Sequence, residues 1–230
     1  MRSYWAEIQI SFVSYKKIIT FVAYKGKHIM ERFFNTAGPN KPDSEYTIDP
    51  LSRVNLDEIT HLINQKKYFV LHAPRQTGKT SMLLALRDFL NKSGDYLCVY
   101  ANIDISQTYK SDTEYVISKI CTSITNCLEE TLIEKKDCDF EIKQFENVSY
   151  LTRLMFLLIH LSNKLATQLI LFLKGIDTLS GDALASALHQ IRSVYEKRTN
   201  HNDIQILIEG EKALTYYNQC GKIFSAKIDL

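Results

Sequence analysis

Between residues 68 and 93 a short apolar run, a turn ending in Gly-Lys-Thr and an amphipathic segment follow one another without a break. Few folds accommodate that order. Residues 68–73 (YFVLHA) are apolar at nearly every position, the pattern of a strand covered on both faces. Met82, Leu83, Leu86, Phe89 and Leu90 then recur at helical spacing, and Ser93-Gly94 punctuates the end. The chain must therefore end a strand, turn tightly and start a helix whose N-terminal amides face the turn.

The turn carries a recognisable chemistry. From Ala73 to Thr80 it matches G-x-x-x-x-G-K-[ST], with Ala73 in place of the first glycine. Gly78 lets the backbone approach a ligand and take angles closed to other residues. Lys79 offers a point charge to β- and γ-phosphates, and Thr80 offers its hydroxyl to Mg²⁺. Ala73 is small and sits at the strand end, where it is tolerated. A Gly-Lys-Thr triplet alone is common by chance; the strand before it and the helix after it supply the required context. The residues expected to line the phosphates are Pro74, Arg75, Gln76, Thr77, Gly78, Lys79, Thr80 and Ser81.

The rest of the chain repeats the alternation. Leu56, Ile59, Leu62 and Ile63 predict a short amphipathic helix with Asn55 as its N-cap. Residues 96–103 predict a second strand, and Ile117, Ile120, Ile124 and Leu128 a helix. Leu151, Leu154, Met155, Leu158 and Leu165 predict another helix, and residues 169–173 (LILFL) a third strand. Leu184, Leu188, Ile191 and Val194 precede a fourth strand at 204–208, and residues 224–227 suggest a fifth. The charged stretch 134–146 reads as a solvated loop. Strands alternating with helices indicate an α/β fold with a parallel sheet covered on both faces.

Composition narrows the function classes. The chain has 230 residues, 45% hydrophobic and 23% charged, which excludes wholesale disorder. Twenty-eight basic against 26 acidic residues give no charge-driven case for nucleic acid or membrane. No run of about 18 apolar residues suggests a membrane span. The N-terminal apolar stretch is broken by Glu7, Lys16 and Lys17, unlike a signal peptide. The cysteines at 98, 121, 127, 138 and 220 form no C-x-x-C pair and fit reduced thiols, so a cytoplasmic location is expected. The histidines form no H-E-x-x-H or H-x-x-x-H metal motif. Residues 1–30 lack a clean period and read as an N-terminal extension, with an edge hairpin from 8–13 and 18–24 as the alternative.

Three segments bear a more specific likeness. The first is Phe33-Phe34-Asn35-Thr36-Ala37-Gly38-Pro39 with Pro42, Tyr46, Pro50 and Arg53. The second runs from Tyr68 through Thr80 into Leu84-Ala85-Leu86 and Leu90-Asn91, and the third covers residues 169–184 and the helix after them. In these the chain resembles a bacterial family of AAA-ATPase-like, archaeal-ATPase-type P-loop proteins. The resemblance implies a three-layer P-loop sandwich with a mostly parallel central sheet in the order 5-1-4-3-2, and ATP with Mg²⁺ as ligands. It implies one domain over residues 31–230, shorter at its C-terminus than the family. It also implies that the segment from Phe33 to Tyr46 lies beside the base, where Glu45 replaces a frequent histidine.

The likeness breaks at the third strand. The family continues there into Asp-Glu-Ile-Asp, whereas this chain reads Lys174-Gly175-Ile176-Asp177. Lys174 puts a positive charge where a dication is organised; two unit charges at about 4 Å repel by ~4 kcal/mol at an effective dielectric near 20. Gly175 has no side chain with which to orient a water. Asp104, closing the second strand, and Asp177, in the following loop, are the acids available to substitute. After the fourth strand the family places an Arg-rich turn, and here Glu209-Gly210-Glu211-Lys212-Ala213 offers only Lys212. The expectation is an ATP-binding domain impaired in hydrolysis, with Lys79 on the phosphates and Thr80 on the metal. The alternatives are an active ATPase with Asp104 or Asp177 as its catalytic metal acid, and a gene fragment that binds nothing. Protein client, nucleic acid and oligomeric state are not legible.

Overall fold

A computed structural model of the chain describes residues 45, 46, 48–74, 76–103, 105, 109, 111–135, 145, 147–198, 204–210 and 224–229. The chain divides into two units, Met1–Tyr46 and Thr47–Leu230. The expected extension 1–30, its alternative hairpin and the segment from Phe33 up to residue 44 lie outside the described residues, as do Arg75, Asp104 and Lys212.

The second unit opens with a 3-10 turn, Pro50–Arg53, where Asp49 Oδ1 accepts from the Leu51 amide at 3.0 Å. Helix α1 (Leu56–Asn64) starts where Asn55 Oδ1 accepts from the Glu58 amide at 3.2 Å, the expected N-cap. Then follow β1 (Tyr68–His72), α2 (Lys79–Ser93), β2 (Tyr96–Asn102), α3 (Thr113–Lys135) and α4 (Tyr150–Lys164). After these come β3 (Gln168–Lys174), a 3-10 turn (Ile176–Thr178), α5 (Gly181–Glu196), β4 (Gln205–Gly210) and β5 (Phe224–Asp229). Gly94 ends α2 in the left-handed region at φ 81, as the Ser-Gly punctuation suggested.

The strands form one sheet in the order β2-β3-β4-β1-β5, and every pair is parallel. From the β5 edge this reads 5-1-4-3-2. Side chains alternate between two core layers. Tyr68, Val70, Leu171 and Ile206 face the layer built by α3, α4 and α5. Phe69, Leu71, Phe172 and Leu207 face the layer built by α1 and α2. Both faces are apolar because helices cover both, which is why the strands read as runs and not as alternations. A buried glutamine ties two helices: Gln190 Oε1 accepts from the amides of Leu154 at 2.9 Å and Met155 at 3.2 Å, and its Nε2 donates to Tyr150 O at 3.0 Å. It thereby bonds to backbone groups near the start of α4 from a residue of α5.

Two periodic residues sit outside the core. Phe89 is 45% and Leu151 59% exposed. Each lies at the rim of its apolar stripe, beyond the arc the neighbouring layer covers. Leu165 is the residue that ends α4 and not one inside it. Helix α3 runs to Lys135, so the charged stretch begins as helix, and most of its remainder is outside the described residues. Among the described residues no helix is long and apolar enough to cross a membrane.

Burial pushes the Cys98 thiol well up and the Cys121 thiol up to about 12, whereas half-buried Cys127 is raised by burial and then by Glu130. Thiolate is the nucleophile. Iodoacetamide labelling read by peptide mass spectrometry should therefore modify Cys127 first of the three, with Cys98 and Cys121 labelled only on unfolding. Equal labelling of Cys98 in buffer and in urea would contradict this packing.

Candidate functional site

The chain leaves β1 at His72 and enters α2 at Lys79. Gly78 is the N-cap, at φ 83 and ψ 18, left-handed values that suit glycine. Gln76 is also left-handed at φ 61, which is uncommon for a residue with a side chain. The turn is cross-braced from within. Thr77 Oγ1 donates to Pro74 O at 2.9 Å, and Lys79 Nζ donates to Ala73 O at 2.6 Å and Pro74 O at 2.7 Å. The first bond into the helix is Met82 N to Gly78 O at 3.0 Å. No side chain caps α2, so the amides of its first turn face the loop. Amides, helix dipole and ammonium thus converge, which is the chemistry of an anion cradle.

A second cation flanks it. A Cβ placed on Gly78 would stand 2.7 Å from Arg53 Nη1, so the guanidinium lies against the glycine's open side. Arg53 ends the Pro50–Arg53 turn, which Asp49 fixes ahead of α1. The turn therefore delivers a charge to the loop from a distant part of the chain.

The donor set fits a nucleotide phosphate chain with Mg²⁺. Lys79 and Arg53 place two cations at the loop, and Thr80 places a hydroxyl in the first turn of α2. Among the described residues no group of three or more His, Cys, Asp or Glu could cage a metal. Mg²⁺ suits such a site because it keeps waters and binds through phosphates with one or two protein oxygens.

The strand ends beside the loop differ from expectation in one respect and agree in another. Lys174 closes β3, and Gly175 follows at φ 90, in the left-handed region. Its carbonyl accepts from Thr178 N at 3.0 Å and Thr178 Oγ1 at 2.7 Å, which closes the Ile176–Thr178 turn. Asp177 sits inside that turn. The acid the sequence reading passed over is Glu209, buried at the end of β4.

No family model matches the chain, and no curated protein matches it. Solved structures do. One is Cdc6p from Pyrobaculum aerophilum, with a TM-score of 0.51 and 17% identity over 82% of this chain and 47% of that one. Another is a Walker-type ATPase of Pyrococcus abyssi, with a TM-score of 0.57 and 13% identity over 85% of this chain and 56% of that one. This chain has the fold of the P-loop ATPases. It spans about half the length of these two structures, and identities this low speak to fold alone.

Pro74, Gln76, Thr77 and Gly78 lie between β1 and α2, and Lys79, Thr80 and Ser81 lie in the first turn of α2. Arg53 and Glu209 are additions. Arg53 carried a signal only as the end of the first resembling segment. Glu209 carried one as a charged residue directly after the apolar run Ile206-Leu207-Ile208, and the lysine three positions on drew the attention instead.

Proposed function

We propose that the second unit binds ATP with Mg²⁺ at the loop from Ala73 to Ser81 and hydrolyses it slowly. The observation that carries this reading is the Gly78–Lys79 junction: a left-handed glycine, an uncapped helix start and an ammonium held at the loop by two carbonyls. The first-turn amides bind phosphate oxygens, and Lys79 exchanges a loop carbonyl for one of them. Arg53 adds a cation from the side. Mg²⁺, when bound, offsets phosphate charge, and Thr80 is its protein ligand.

Slow hydrolysis follows from the end of β3. Lys174 disfavours a nearby dication, and Gly175 cannot orient water. The backbone reinforces this, since a side chain at φ 90 is strained by roughly 1–2 kcal/mol. A glutamate does not fit that conformation without rearrangement.

Thermal melts with and without ATP and Mg²⁺ test the reading. At about a hundred times Kd, a native-state ligand adds ~2.7 kcal/mol, or roughly 5–10 °C for a domain of this size. No rise at millimolar ATP would remove the binding claim and leave the non-binding alternative. Rapid phosphate release that disappears in Lys79→Ala would replace slow turnover with an active enzyme that recruits Asp104 or Asp177.

A further inference from the structure

The sheet order places β2 at one end, with β3 as its neighbour among the described strands. In a parallel ladder the N–H and C=O of one residue point to the same side, and successive residues alternate sides. The Ile103 amide donates to Lys174 O at 2.9 Å, so the backbone of Leu97, Val99 and Ala101, at even separations from Ile103, turns toward β3. The backbone of Tyr96, Cys98, Tyr100 and Asn102 therefore turns outward. An outward row of backbone donors and acceptors is a template for another extended chain.

The row is closed in its middle by a side chain. Asn91 Oδ1 accepts from the Cys98 amide at 2.7 Å, and Asn91 Nδ2 donates to Cys98 O at 2.8 Å. One side-chain amide thus satisfies both backbone groups of an outward residue, and a flipped amide would satisfy neither. Both bonds are part-buried. Leu90, one residue earlier, is anchored in the core layer that also holds the Cys98 side chain, and this fixes where Asn91 stands. Asn91 belongs to the second resembling segment but lies near the far end of α2 from the phosphate loop.

We infer that Asn91 guards the outer edge of the sheet: its amide takes the ladder position a further strand would take, and the partner it excludes is an extended segment of a second copy of this chain. The Cys98 amide has one proton to give, so bonding to Asn91 and bonding to an added strand exclude one another. A second copy's β2 is the segment best placed to pair, because two copies offer each other the same outward row across a two-fold axis. The guard acts on association and not on the phosphate loop, and it holds with or without ATP.

Sedimentation of the full chain over a range of concentrations tests this. Two variants lose the same pair of bonds and differ in what they leave at the edge. Asn91→Ala should self-associate at least about tenfold more strongly than wild type. Asn91→Lys places a charge on the edge, which blunts strand pairing, and should sediment as wild type does. Both should melt below wild type by similar amounts, because both lose the same two bonds. Equal association of the two variants would mean that lost stability and not an opened edge drives it, and would overturn the guard. So would an Asn91→Ala protein that sediments as wild type. Amide hydrogen exchange on the wild-type chain decides even if neither variant melts cooperatively. The Cys98 amide should exchange within about tenfold of the Val99 amide, which is bonded within the sheet, and a greater excess overturns the assignment.

Discussion

Lys79→Ala is expected to weaken Mg²⁺·ATP binding by at least about a hundredfold, or ~2.7 kcal/mol, while changing the melting temperature of the nucleotide-free protein little. The ammonium offers three donors, and bonds from a charged donor to phosphate contribute about 1.5–3 kcal/mol each. Without nucleotide the same group bonds to Ala73 O and Pro74 O. Pro74 is exposed, so water can replace the ammonium on its carbonyl. The turn keeps its Thr77–Pro74 brace and its left-handed glycine. The substitution thus separates ligand affinity from fold. Calorimetric titration gives the first quantity and a thermal melt the second. Binding within about threefold of wild type would mean that phosphates do not lie at this loop. Lys79→Arg should not rescue it, because the planar guanidinium is larger and does not reproduce a compact point charge.

The parts of the site that were legible in sequence are those built from neighbours along the chain. Strand, turn and helix occur within one continuous stretch, so apolar runs, a glycine and helical spacing together specify the cradle. The caps at Asn55 and Gly94 were legible for the same reason. Strand order is different in kind. Alternating strands and helices specify a parallel sheet but not which strands touch, and only the family resemblance implied 5-1-4-3-2.

Arg53 and Glu209 show where local reading stops. Arg53 reaches Gly78 because a capped 3-10 turn lies against the start of α2. Glu209 stands beside Lys174 only because β4 inserts between β1 and β3. Gly175 illustrates the reverse case. Sequence alone reports a glycine after the third strand, and the left-handed backbone adds that the position suits glycine and closes a turn. Phe89 and Leu151 fit their helical periods but face solvent, because a period fixes a stripe and not the width of the layer that covers it.

Phe172→Ala is expected to destabilise the second unit by about 3–5 kcal/mol, lowering its melting temperature by roughly 10 °C. Phe172 is 0% exposed and sits in the middle of the sheet, with Tyr100 of β2 and Leu207 of β4 in register on either side. Its ring belongs to the layer beneath α2, with Phe69 and Leu83. Truncation there removes buried apolar area and leaves a cavity that packed strands cannot close. Domains are stable by only about 5–15 kcal/mol, so this is a large fraction of the total. The loop should be spared, because its shape depends on Gly78, Pro74 and the Lys79 bonds and not on the ring. ATP with Mg²⁺ should accordingly raise the melting temperature of Phe172→Ala by the same free-energy increment as wild type, within about 1 kcal/mol. Scanning both proteins with and without nucleotide measures the two effects together. An increment that collapses in the variant would show that the core under α2 sets the geometry of the phosphate loop, and that fold and site are not independent.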